Sequence, residues 1–158
     1  MNRLADARRI AATLLCALWW GGFTFYAARV VFIGHAVLRS KIRQGFITER
    51  VTTELNWLGL LALAFVGWEF FGSRHSVRRR VAWVAWAVAV VTTFALFVLH
   101  TQLAAMLDFS ARTVADDDQF YGAHRVYLIV ATMQWLAGLA CLISLLRWPE
   151  RREGRVVR

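Results

Sequence analysis

The sequence has one proline, two cysteines and little charge, only 18% of its 158 residues being Asp, Glu, Lys or Arg. Two cysteines cannot staple a small secreted scaffold, and Cys16 and Cys141 both fall inside apolar runs, where a thiol is a small packing residue. The charge is well below the roughly 25% of an ordinary soluble domain, which also excludes a disordered charged tail. Catalytic signatures are missing as well. There is no HExxH, no glycine-rich phosphate loop and no nucleophile spaced with a base, so no enzyme is expected. An inverted repeat or a broken helix of the kind that lines many transport sites is also lacking, which places a transporter behind the other readings.

What is abundant is apolar surface. Hydrophobic residues make up 59% of the chain and aromatics 14%, with a mean hydropathy of +0.48. That is too much for one small core to hide. A single membrane domain over residues 1–158 is the expected organisation, with the lipid bilayer as its first partner. The net charge of +9 does not point to nucleic acid, because the basic residues punctuate hydrophobic runs instead of forming one patch.

Crossing about 30 Å of hydrocarbon takes about 20 apolar residues as a helix. Spans are predicted at about residues 10–33, 55–71, 81–107 and 126–146. The separators are basic or acidic: Arg39 to Arg43, Gly72 to Arg80, and the run Asp116 to Asp118. Arg147-Trp148-Pro149 closes the last span. The first span is too long for the apolar region of a signal peptide and lacks small residues at a cleavage position, so it is expected to remain as a helix.

Lys and Arg set the orientation. With both termini in the cytoplasm, the inner segments hold twelve, from Arg3, Arg8 and Arg9 through Arg78 to Arg80 and on to Arg158; the outer loops hold five. This bias predicts cytoplasmic N and C termini in the cell inner membrane. Residues 37–50 are basic for an outer loop. Leu38, Ile42 and Phe46 recur every four positions there, so this stretch is expected to continue the first helix along the headgroups.

Helices associate in lipid through small residues and shared polar groups. Spacing of three and four selects Ala82, Ala85, Ala89, Thr93, Leu96, His100 and Leu103 in the third span. The same spacing selects His124, Tyr127, Ala131, Gln134, Gly138, Cys141 and Leu145 in the fourth. In the first span it selects Leu15, Leu18, Gly22, Phe25, Arg29 and Phe32, with Gly21-Gly22 allowing close approach. The predicted fold is all-α, an antiparallel four-helix bundle with these faces inward.

Polar residues gather toward the outer helix ends: Arg29, His35, Glu54, Asn56, His100, Gln102, His124 and Arg125. Charges in spans are costly and tend to face a bundle interior or a cavity. Two readings stay open. In one, His100 and His124, with His35 as a further ligand, hold a transition metal or haem, and Arg29 and Glu54 balance charge, because imidazole on facing helices suits such groups. In the other, the chain is a structural or assembly subunit of a membrane complex, or a homo-oligomer, and the polar groups only pack helices, Arg29 pairing with Glu54.

The stretches Ala17-Leu-Trp-Trp-Gly-Gly-Phe-Thr-Phe-Tyr-Ala-Ala-Arg-Val-Val-Phe32, Phe120-Tyr-Gly-Ala-His-Arg-Val-Tyr127 and Gln134-Trp-Leu-Ala-Gly138 resemble a bacterial four-helix membrane family of unknown function. That family is related to a eukaryotic transmembrane protein associated with platinum-drug resistance and, more loosely, to the copper-resistance D membrane proteins. The resemblance covers about residues 10–146. It implies the four-helix architecture and an inner-membrane address, and it associates the chain with metals. The proline expected near the outer end of the first span is absent, Val30 and Val31 occupying that region.

Overall fold

The computed structural model describes residues 3–72, 78–108, 113–114 and 117–147, without the side chains of residues 41–42, 78–79, 107–108, 113–114 and 117–118. Residues 73–77 with His75, the aspartate run at Asp116 and the Trp148-Pro149 closure lie outside that description, as do the side chains of Asp117 and Asp118. Five helical segments form four long rods: α1 (Arg3–Phe25), α2 (Val31–Leu38), α3 (Lys41–Phe71), α4 (Arg78–Ala105) and α5 (Asp117–Leu146). A π turn, Tyr26–Val30, joins α1 to α2 without ending the rod, so Arg3–Leu38 runs as one unit of 36 residues. The remaining element is a two-residue antiparallel pairing, Leu107–Asp108 with Thr113–Val114.

All four rods are long and apolar enough to cross a membrane. With 31 residues in α3, a rise of 1.5 Å per residue gives about 46 Å, well beyond an about 30 Å hydrocarbon core. The extra length comes from residues 41–54, of which the sequence pattern assigned 41–50 to an interfacial extension of the first helix. The structure corrects this. Arg39 turns left-handed at φ 48°, its N–H donating to His35 O, and the Ser40 hydroxyl accepts from Arg43 N at 3.4 Å. A left-handed residue that stops one helix and a serine that caps the next reverse the chain within two residues, so Ile42 and Phe46 belong to the second rod.

Each rod packs against its neighbour in sequence, and α5 closes the ring against α1. The inward faces of α4 and α5 are those selected by small and polar residues. Ala82, Ala89, Thr93 and Leu96 are buried on α4, and Ala131, Gln134, Cys141 and Leu145 on α5. The face expected for α1 is not the buried one. Leu18, Phe25 and Phe32 are 61%, 62% and 70% exposed, while Ala12, Cys16, Trp19 and Tyr26 turn inward.

Glycine serves here as a seat for tryptophan. A methyl group on Gly59 would stand 2.5 Å from Trp19 Nε1, and one on Gly138 3.1 Å from the same indole. Trp86 lies over Gly67 in the same way and donates Nε1–H to Leu63 O at 2.8 Å. Gly21, by contrast, faces open space and gives no close helix approach.

Candidate functional site

The ends of α2 and α4 and the starts of α3 and α5 share one end of the bundle, because neighbouring rods are antiparallel. The predicted site residues all fall at this end, yet they do not share one environment. Arg29 sits in the π turn and is exposed, as are Gln102 and Arg125. Glu54 is exposed too and pairs with Arg50 one turn earlier on α3, at 3.8 Å. The expected Arg29–Glu54 pair is thus replaced by an i,i+4 pair, because Glu54 lies on the outward side of α3 and reaches its own helix more readily than α1. His35 is also exposed, and its Nδ1 lies 3.0 Å from Val31 O. A carbonyl only accepts, so Nδ1 carries the proton and donates.

His100 is the predicted ligand most firmly tied into the bundle. Its Nε2 lies 2.9 Å from Thr53 Oγ1 and 3.4 Å from Glu49 Oε1, both on α3. Thr53 has one hydroxyl proton, and its Oγ1 stands 2.9 Å from Glu49 O, which can only accept. With that proton donated to the backbone, Thr53 Oγ1 accepts from His100, which places a proton on Nε2. A nitrogen that holds this proton has no lone pair for a metal. His124 has different surroundings: its ring is parallel to those of Phe120 and Tyr127 on its own helix, with centroids 6.0 and 6.5 Å away.

A second polar feature comes into view only once α3 is known to begin at Lys41. Gln44, Thr48, Thr52 and Asn56 recur every four residues and form a stripe along α3. Gln44, Thr52 and Asn56 are buried, at 3%, 8% and 2% exposure. Tyr26, inside the π turn, donates its hydroxyl to Thr48 at 2.9 Å. The Tyr127 hydroxyl of α5 faces Thr52 and Asn56. Deeper in the bundle, Gln134 Nε2 donates to Thr93 Oγ1 at 2.8 Å, joining α5 to α4. The extra residue of the π turn is what aims Tyr26 at α3 while Arg29 turns outward.

Gln44 Oε1 of this stripe is buried without a hydrogen-bond partner, and Asn56 Nδ2, beside the Tyr127 hydroxyl, lacks a well-formed one. Leaving such a group unpaired costs about 1–3 kcal/mol, and Gln44 Oε1 is packed against Gly34.

A metal centre needs several donors converging on one point. Among the described residues, no three His, Cys, Asp or Glu side chains do so. Among the described residues, the donors therefore do not converge as a metal centre of three or more protein ligands requires. Sequence reasoning selected the histidines for their chemistry and passed over Gln44, Thr48 and Thr52, whose four-residue spacing was the available signal.

No family model, curated protein or solved structure matches the chain.

Proposed function

We propose that the chain is an integral protein of the cell inner membrane, with both termini in the cytoplasm, and that it serves as a structural or assembly subunit of a membrane complex. The observation that carries this reading is the engagement of the inward polar groups with neighbouring helices. His100 bonds to α3, Gln134 to α4 and Tyr26 to Thr48. In lipid such bonds hold helices together, which is the task of a scaffold. The Lys and Arg bias supports the orientation. We assign no catalytic step to any residue.

A second reading has one specific support. The Gln44 carbonyl, without a partner, and the Asn56 amide, without a well-formed one, leave polar capacity buried at the same end. A small polar ligand hydrogen-bonded at one or other of these side chains, which stand about 18 Å apart along α3, is the form of ligand handling they support. The resemblance to metal-resistance families is the reason to keep metal among the outcomes tested.

The test is purification in mild detergent without chelator, followed by elemental analysis, a visible spectrum and identification of co-purifying chains. The subunit reading expects no stoichiometric metal, no Soret band and a partner chain in fixed ratio. A stoichiometric metal or haem, lost on replacing His100 and His124 by Ala while the bundle stays folded, would overturn it. Orientation is checked separately, since both native cysteines are buried. Gln119→Cys should label from outside the cell and Leu4→Cys should not.

A further inference from the structure

We propose that the groove between α4 and α5 is a binding site for one anionic phospholipid, its acyl chain along the groove and its headgroup phosphate at Arg80. This rests on the membrane reading above but goes beyond it. The groove has a volume of about 510 Å³ and is walled by Val84 and Val88 of α4 and by Met133 and Leu136 of α5, with Ala137 at its floor. Arg80 lines one end and is the charged wall residue among those described.

Register gives the groove its length. The Gln134–Thr93 hydrogen bond fixes how the antiparallel α4 and α5 face each other. Counting from that pair, Met133 stands about one residue beyond Thr93, so the groove runs about 20 Å from Arg80 at 1.5 Å per residue. One leaflet of hydrocarbon is about 15 Å deep, half of a 30 Å core. A groove that starts at a cation and ends near mid-bilayer suits a lipid of one leaflet. A partner helix crossing the membrane would call for a groove along the whole rod.

Charge points to the headgroup. The same register places Arg147, at the end of α5 and exposed, opposite Arg80. The first turn of α4, which begins at Arg78, adds the partial positive charge of a helix start beside them. A guanidinium group at the end of an apolar groove, with a second at the same level of the bundle, recognises a phosphate diester that carries net charge better than one whose charge is cancelled by choline. With the proposed orientation this mouth faces the cytoplasmic leaflet, where anionic lipid acts on basic side chains.

The test uses the full chain in detergent with equal amounts of phosphatidylglycerol and phosphatidylcholine, retained lipid being counted by native mass spectrometry. One phosphatidylglycerol should be held in preference to phosphatidylcholine. Arg80→Gln and Arg147→Gln should each weaken retention by about fivefold. Val84→Phe, which fills the groove without changing charge, should weaken it too. Arg50→Gln, a basic surface residue at the opposite end of the bundle, should leave it unchanged. Equal retention of both lipids, or an equal loss in Arg50→Gln, would overturn the site, as would a protein chain displacing the lipid in a manner blocked by Val84→Phe. An unchanged melting curve in each variant establishes that the bundle is intact. Release of the chain from membranes by alkaline carbonate would instead refute the membrane reading itself, a failure distinct from loss of lipid preference.

Discussion

The two ends of the bundle are held by different chemistry. At the end where the chain begins, Arg8 Nε donates to Glu69 Oε2 at 2.7 Å, and the two side chains are only 20% and 10% exposed. Arg9 reaches the last turn of α5 and donates to Leu145 O at 3.2 Å, so consecutive arginines tie α1 to both of its neighbours. The Arg8 guanidinium also lies 5.9 Å from the centre of the Trp68 ring. Beneath this clamp sits a closed apolar layer of Cys16, Val66, Phe70, Ala82, Cys141 and Leu145. The opposite end is joined mainly through hydroxyl, amide and imidazole groups, with Glu49 3.4 Å from His100 and an exposed Arg50–Glu54 pair, and its outermost segment, α2, buries no residue. A charged pair shielded from water locks helices in place, whereas a ladder of neutral bonds holds them with less energy and leaves polar capacity over.

If that contrast is real, the largest effect comes from breaking the clamp. Removing one partner of a shielded ion pair strands the other charge and costs about 3–5 kcal/mol. Because Arg8 retains some exposure, Glu69→Ala is expected near the lower limit, about 3 kcal/mol, read as a loss of stability on denaturation in mixed micelles. Adding Arg8→Ala should recover part of that loss, since the guanidinium stranded by the first change is then gone. A cost below about 1 kcal/mol for Glu69→Ala would mean that the clamp is an ordinary surface pair.

The middle of the bundle gives a second, smaller break. Gly59→Ala places a methyl where the Trp19 ring already lies, and Trp19 is only 2% exposed, with its Nε1 buried without a partner. The indole cannot swing into solvent, so the strain is expected to cost about 2 kcal/mol, as overpacking does. Gly22→Ala, whose new methyl would meet Leu55 Cδ2 at an ordinary 3.5 Å, should be close to neutral. Thermal melts followed by tryptophan fluorescence separate the two. Equal effects would deny that Trp19 is locked on its seat.

The same seats explain what the sequence could and could not disclose. On α4 and α5 the inward faces were legible, because in a greasy helix the small and polar residues are the exceptions. Ala82, Ala89, Thr93, Gln134 and Cys141 mark one side only. On α1 nearly every position is apolar, so spacing alone does not separate the lipid-facing Leu18 and Phe25 from the buried Trp19 and Tyr26. What decides is the fit of Trp19 against Gly59 and Gly138, visible only after the helices pair. The π turn has no mark in the sequence either, since neither proline nor glycine lies in Tyr26–Val30. Among the site residues, the polar end was located correctly from depth in each span. The partners were not, because Glu49 was assigned to an extension of the first helix and Thr53 to no element, whereas both lie on one long helix, α3.

The smallest expected effect is also the one that bears most directly on the polar end. Thr53→Val keeps the shape of the side chain but removes the oxygen that accepts from His100 Nε2. Hydrogen bonds between membrane helices average about 0.6 kcal/mol. Glu49 Oε1, at 3.4 Å, remains in place to take over part of the bond. The stability loss should therefore stay under about 1 kcal/mol, several times smaller than for Glu69→Ala. A loss of 3 kcal/mol or more would instead show that the neutral end is held as firmly as the charged one, and the contrast between the two ends would fail.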